Sequence, residues 1–143
     1  MKNIIVLFFV LSFFACKNTE KSVELKSNTA SLINIRWVLK SIDNQPIVKE
    51  ESRKEIYLFF SPEEDRFRGF AGCNNISGRY TLKENEIEFG NVLATKMLCD
   101  NMASEQTFLK LINKKVTFQL SNNTLTLQNE NGLTAIFEAV YLK

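Results

Sequence analysis

The chain of 143 residues contains no histidine. This removes the commonest general base near neutral pH and the commonest metal ligand. A Ser-His-Asp or Cys-His arrangement cannot be assembled within it. The three cysteines, Cys16, Cys73 and Cys99, form no CxxC. Two thiolates without a histidine partner make a poor zinc set, so no metal and no cofactor are expected. The longest apolar run, Ile4 to Ala15, falls short of the about 20 residues a membrane-spanning helix needs. Charge of one sign is also lacking: 18 basic residues face 16 acidic ones. That balance gives no basis for a nucleic-acid partner or an acidic substrate. There is no internal repeat and no low-complexity tract.

What is present begins with a leader. Met1-Lys2-Asn3 is a short positive start, Ile4 to Ala15 an apolar core, and Ala15-Cys16 is followed by polar Lys17-Asn18-Thr19-Glu20. An apolar core, a small residue and then a cysteine resemble a bacterial lipoprotein signal, with residues 1–15 removed and Cys16 carrying acyl chains such as palmitate. The alternative is an ordinary secretory signal cut nearby. Only Lys2 leaves with the leader, so 17 basic residues remain against 16 acidic ones, a balance of +1. Residues 16–31 then read as an acylated cysteine and a tether, too polar to bury a core. Residues 32–143 remain as one domain, long enough to fold alone.

Within that domain the apolar residues alternate with a period of two. Ile35, Trp37 and Leu39 mark a first strand, and Asp43-Asn44-Gln45-Pro46 a turn. Ile56 to Phe60 is apolar without interruption, which predicts a strand covered on both faces. Ser61 to Asp65 breaks the chain before a strand from Arg66 to Gly72. After Asn74-Asn75, Tyr80 and Leu82 mark the next strand, then Ile87 and Phe89, with Gly90-Asn91 closing it. Phe108, Leu109 and Ile112 share one face of the single expected helix, with Met102 and Glu105 earlier on it. Asp100 or Asn101 is its expected cap, and Asn113-Lys114-Lys115 its end. Val116, Phe118 and Leu120, then Leu125 and Leu127, mark two more strands. In the last, from Ala135, the register stays open between a Phe137, Ala139, Tyr141 face and an Ile136, Val140, Leu142 face. About eight short strands and one helix imply an antiparallel barrel or sandwich with a helix packed on it or plugging it.

Arg68-Gly69-Phe70-Ala71-Gly72-Cys73-Asn74-Asn75-Ile76-Ser77-Gly78-Arg79-Tyr80 concentrates three of the five glycines. From Gly69 to Tyr80 it resembles the GxxGCNxxxGxY signature of the META domain, also called HslJ-like. Ala94-Thr95-Lys96-Met97-Leu98-Cys99 resembles the family's T(R/K)MxC segment, Glu105 to Leu109 its E..FL helix, and Trp37-Val38-Leu39 its opening W.L. Gly132 and Phe137 resemble its final G…F. The resemblance covers about Ile35 to Leu142. It implies a mainly-β fold, a small antiparallel, partly open barrel of about eight strands with one α-helix packed against it. It also implies an envelope lipoprotein. Named members are linked to heat-shock response, antibiotic tolerance and secretion or motility, and the fold is similar to a lipid-binding pilot lipoprotein. The family pattern holds no catalytic residues, so Gly69, Gly72, Asn74, Gly78 and Tyr80 are expected to be structural.

The remaining chemistry is weighed residue by residue. Cys73 and Cys99 are the only cysteines of the folded part, and an oxidising compartment favours a disulfide between them. Cys73 as a nucleophile lacks a base. Glu84, Glu86 and Glu88 read as solvated charges rather than an acid–base pair. Glu63-Glu64-Asp65 lacks the ligand spacing of a calcium loop. Arg66, Arg68 and Arg79 form a candidate contact face around the central hairpin. Phe70, Tyr80, Phe89 and Phe118 are expected to point inward. The expectation is a non-enzymatic monomer, lipid-anchored in the cell envelope at the outer membrane, which supports envelope integrity or stress tolerance through a protein or surface contact. The alternative is a carrier or pilot that holds an acyl chain or apolar peptide in the barrel.

Overall fold

The computed structural model describes residues 32–48 and 54–141. The expected leader, Cys16 and the tether lie outside the described residues, as does Leu142. The elements are β1 (Arg36–Ile42), β2 (Gln45–Pro46), β3 (Tyr57–Phe60), β4 (Arg66–Phe70), β5 (Asn75–Lys83), β6 (Glu86–Ala94), α1 (Ala103–Leu111), β7 (Lys115–Ser121), β8 (Thr124–Asn129) and β9 (Thr134–Val140). Each long strand pairs antiparallel with its neighbour in sequence, and β1 closes on β9. The result is a closed eight-stranded antiparallel barrel with β2 as a short extra strand and one short helix. Closure leaves few open strand edges, which would otherwise invite association.

Turn chemistry sets the hairpins. Asp43 and Asn44 both take positive φ, 49° and 61°, and Ile42 pairs with Gln45. This is the two-residue turn whose twist matches the flanking strands. Positive φ at Glu84 and Asn122 serves the β5–β6 and β7–β8 reversals in the same way.

The inner face is dry and aromatic. Cross-strand rows place Trp37, Leu58, Gly69 and Ile76 on one level, and Phe60, Phe67 and Gly78 on the next. The rings of Phe60 and Tyr80 meet edge-on with centroids 5.1 Å apart, and Phe67 and Phe89 at 5.0 Å. Such T-shaped contacts suit the ring quadrupoles. Trp37 donates its indole N–H to the Leu32 carbonyl at 2.9 Å, so the largest core side chain is satisfied as well as buried.

Several sequence expectations give way here. β3 is not covered on both faces: Ile56, Leu58 and Phe60 are buried, while Tyr57 and Phe59 are half-buried on the outside. Phe70 also points outward, because the alternation that buries Phe67 and Gly69 turns it out. Tyr80, Phe89 and Phe118 are buried as expected. Val38, which the alternation of Trp37 and Leu39 sets on the opposite face, is buried as well, in the cavity lining shared with Ile47 and Lys54. β4 ends at Phe70, and Lys115 belongs to β7. Gly90-Asn91 does not end β6. Asn91 takes φ 49° in a bulge opposite Gly78, and pairing resumes at Ser77 and Leu93. A bulge bends a strand without ending it. In β9, Ala135 and Phe137 face in, while Ile136 and Val140 face out.

The bulge explains Gly78. A Cβ there would lie 2.6 Å from the Phe67 ring, 2.9 Å from the Gly90 carbonyl oxygen and 3.0 Å from that of Asn91. At Gly90 the nearest atom would be 3.9 Å away. Gly78→Ala is therefore expected to cost about 1–3 kcal/mol by overpacking. Gly90→Ala should be neutral or gain about 0.4–1 kcal/mol from a stiffer unfolded chain. Urea unfolding of the two variants checks the contrast; equal losses would contradict it.

Candidate functional site

The Gly69–Tyr80 stretch, the Thr95–Cys99 segment and the Glu105 helix meet at the barrel end where α1 packs. Helix formation there is local at its start: the Asn101 side-chain oxygen accepts the Ala103 N–H at 3.2 Å. The N-cap residue itself is Met102, and no side chain makes the cap hydrogen bond, so neither Asp100 nor Asn101 takes the expected place. A nine-residue helix is too short to hold itself in water, so packing must hold it. Phe108, Leu111 and Ile112 are buried, and the Phe108 and Phe137 rings lie 6.0 Å apart.

On the same helical face sits an acid. Glu105 is 2% exposed. Its Oε2 accepts the backbone N–H of Cys73 at 2.8 Å and of Asn74 at 2.7 Å, and its Oε1 accepts the Asn74 side-chain amide at 2.7 Å. The loop between β4 and β5 makes this possible. Gly72 takes φ 129°, a conformation that L side chains rarely adopt. That turn brings two successive amides to one oxygen, the arrangement of an anion-binding nest.

Asn74 completes the knot. It is 3% exposed. Its amide also donates to the Met97 carbonyl at 3.2 Å, and its Oδ1 accepts from the Thr95 hydroxyl at 2.8 Å and the Met97 N–H at 2.7 Å. Both donors and both lone pairs of the side chain are used. The Cys73–Cys99 disulfide then ties the same two segments covalently across a separation of 26 residues. The chain-entropy relation values such a loop at about 3.5 kcal/mol.

The expected structural residues are therefore placed. A Cβ at Gly69 would strike the Tyr57 carbonyl. Gly72, Cys73 and Asn74 build the nest. Tyr80 donates its hydroxyl to the Ser61 carbonyl at 3.0 Å; burial first, and then the Asp65 charge, push its pKa above 10.0. Cys73 has no free thiol for attack. Glu84 stands in a turn, Glu86 pairs with Lys115 at 3.1 Å, and Glu88 is exposed. No group of three or more metal-ligating side chains occurs among the described residues. Glu105 was read as part of a helix face, without its partners. Its signal was an acid in register with Phe108 and Leu111 on an apolar face.

A second surface lies outside the barrel. Arg66, Arg68 and Arg79 are exposed there, as expected. They are joined by a layer the alternation did not announce. The Arg36 guanidinium lies 4.3 Å from the Tyr57 ring centre, Arg68 4.6 Å from Phe59, and the Lys54 ammonium 4.7 Å from Phe70. Cations over ring faces are attracted by the quadrupole and shield the ring from water.

A cavity of about 390 Å³ opens at the rim beside the knot. Leu39, Ile47 and Ile56 line it together with Lys40, Lys54 and Ser104.

Glu105→Ala should leave three buried donors without an acceptor. At about 1–3 kcal/mol each, a loss of roughly 3 kcal/mol or more is expected. Glu105→Gln keeps an acceptor for the two backbone amides but sets its NH₂ against that of Asn74, so an intermediate loss is expected. Denaturant unfolding under oxidising conditions measures both. A Glu105→Ala protein of full stability would refute the account.

The comparisons agree with this geometry. A protein solved by NMR is 23% identical, with a TM-score of 0.64; the match covers 76% of this chain and 92% of that one. A second NMR structure, of a protein from Burkholderia xenovorans, is 22% identical with a TM-score of 0.62, covering 95% and 99% respectively. At such identity they show a shared fold. No curated protein matches the chain. The META domain family model matches residues 30–140, and the chain belongs to the META domain family.

Proposed function

We propose that the protein is a non-enzymatic, lipid-anchored envelope domain that supports envelope integrity or stress tolerance through a contact made by its outer surface. One observation carries this reading: the barrel interior is filled. Phe60, Phe67, Tyr80 and Phe89 pack ring against ring, and α1 closes one end with Phe108 on Phe137. A domain this small uses its aromatic residues to make a core at all. What remains for recognition is the outside. The buried polar cluster is saturated with its own partners, which favours a structural role for it over catalysis. In this reading Cys16 carries the acyl chains, the domain is tethered to the outer membrane as a monomer, and no cofactor takes part.

The carrier reading is favoured by the rim cavity. Its volume, about 390 Å³, falls within the range of small-molecule sites, about 300–1,000 Å³. Its lining mixes lysines and a serine with aliphatic side chains, and it lies beside the core rather than within it.

Two measurements test the proposal. Cys16→Ala should abolish fatty-acid labelling and release the protein from the membrane fraction; unchanged membrane partition would contradict the anchor. The delipidated domain should take up neither a long-chain fatty acid nor an apolar dye at stoichiometric levels. Stoichiometric uptake, lost on filling the rim with Ile47→Trp, would replace the contact reading with the carrier.

A further inference from the structure

The outer face of β1, β3, β4 and β5 departs from what a solvated sheet surface requires. One cross-strand row runs Arg36, Phe59, Arg68, Ser77 and on to Leu93 of β6. The next carries Tyr57, Phe70 and Asn75. A third sets Arg66 directly opposite Arg79. Like charges directly opposite each other destabilise a strand pair. Arg66 is answered by Glu64 at 2.7 Å and Arg36 by Glu55 at 3.7 Å. Among the described residues, Lys54, Arg68 and Arg79 have no acid within ion-pair distance. Three cations of the face are thus uncompensated by the described residues, and two of them rest on rings. A stacked guanidinium keeps its N–H edges outward and its orientation fixed, which suits phosphate oxygens.

A second feature adjoins it. Leu93 is 66% exposed, Met97 58% and Leu98 94%. Scattered exposed apolar residues need no explanation, but these fall within one short segment, and that segment is held rigidly. Met97 is clamped to Asn74, and Cys99 is stapled to Cys73. Asn75 joins the segment to the cationic face. Its side-chain oxygen accepts from Lys54 at 3.3 Å, and its carbonyl accepts the Thr95 N–H at 3.1 Å.

We propose that this face, with the Met97–Leu98 prong beside it, docks on the phosphate headgroups of an anionic lipid bilayer. The proposal rests on the contact-domain reading and names the surface contacted. Cations left unpaired among the described residues are complementary to headgroup phosphates. Aromatic bodies under charged tips suit the interface between water and acyl chains. A fixed apolar prong adds buried area that charge alone does not supply. No helix among the described residues is long and apolar enough to cross a membrane, and docking of this kind requires none.

The test uses the chain from Lys17 onward, which lacks the acylated cysteine, so that no anchor contributes. Vesicles of phosphatidylglycerol and phosphatidylcholine should bind it at low salt, vesicles of phosphatidylcholine alone should not, and salt should weaken binding. At about 1 kcal/mol per basic side chain, changing Arg66, Arg68 and Arg79 together to Gln should lower the partition coefficient roughly a hundredfold. Arg79→Gln alone should lower it roughly fivefold. Leu98→Ser should weaken binding while leaving the salt dependence intact. Both single changes are at exposed positions, so they keep the test decisive if the triple variant unfolds. Lys110→Gln with Lys114→Gln, on and just after the helix, should change little. Equal binding to neutral vesicles, or binding by folded Arg79→Gln and Leu98→Ser proteins equal to that of the parent, would overturn the proposal. Vesicle binding absent in a domain that also takes up no fatty acid would overturn this proposal and leave the contact reading standing; fatty-acid uptake would overturn the contact reading itself.

Discussion

The barrel end depends on a single buried carboxylate. A carboxyl group removed from water needs hydrogen-bond partners within the protein. Glu105 finds three N–H groups, all from Cys73 and Asn74. That requirement links features that otherwise look unrelated. Gly72 is there because the loop must turn through positive φ to aim successive amides at one oxygen. Asn74 is there because its amide donates to the acid while its oxygen holds Thr95 and Met97. The cysteines fix the same two segments covalently. Three sequence motifs spread over the domain are thus parts of one polar knot, and its full satisfaction is what makes burial tolerable.

The knot also accounts for how a weak seam is tolerated. β6 and β7 pair over three residues only, Glu86 to Glu88 against Lys115 to Thr117. Among the described residues, β6 beyond that point pairs with β5 alone. The connection that would otherwise leave the barrel wall thin carries α1, and α1 is pinned from one side by Glu105 and from the other by Phe108, Leu111 and Ile112 in the core. A helix too short to be stable alone becomes a fixed cap. The aromatic interior is then sealed, which is why the phenylalanines pack as core.

How legible this was follows from the period of each signal. Alternation exposed the strands, since a half-buried strand shows its inner face directly: Trp37, Tyr80, Ile87 and Phe118 were readable. It failed where the outer face is also apolar. Tyr57 and Phe59 look buried in sequence because the cations that cover them come from Arg36, Lys54 and Arg68, and no local pattern shows a lysine or arginine reaching across to a neighbouring ring. Phe70 was misplaced for the same reason. Gly90-Asn91 resembles a strand end because a bulge and a turn use the same residues. Gly69, Gly72, Asn74, Gly78 and Tyr80 were recognisable as structural; Glu105 was legible as the start of the helix motif but its role was not, because its partners lie more than thirty residues upstream. Only the fold brings them together.

The outer face and the polar knot answer the same physical problem in opposite ways. Inside the rim, each polar group has its partner within the protein, and nothing is left to offer. On the outside, rings that could have been replaced by polar residues are kept and roofed with charge, while Arg66 and Arg79 stand opposite one another at a cost to the sheet. Stability alone does not account for that choice, since an acid at either position would relieve the repulsion. Rigid presentation does account for it. Stacking removes rotamer freedom from Arg36 and Arg68 before any partner arrives, so less is lost when one does. The disulfide acts on Met97 and Leu98 in the same sense, by fixing the segment on which they stand. Arg36 and Arg68 are set by the Tyr57 and Phe59 rings, whereas Lys54 is tied to Asn75 and the prong to Asn74 and Cys73, so the structural motif shapes the prong side of this surface.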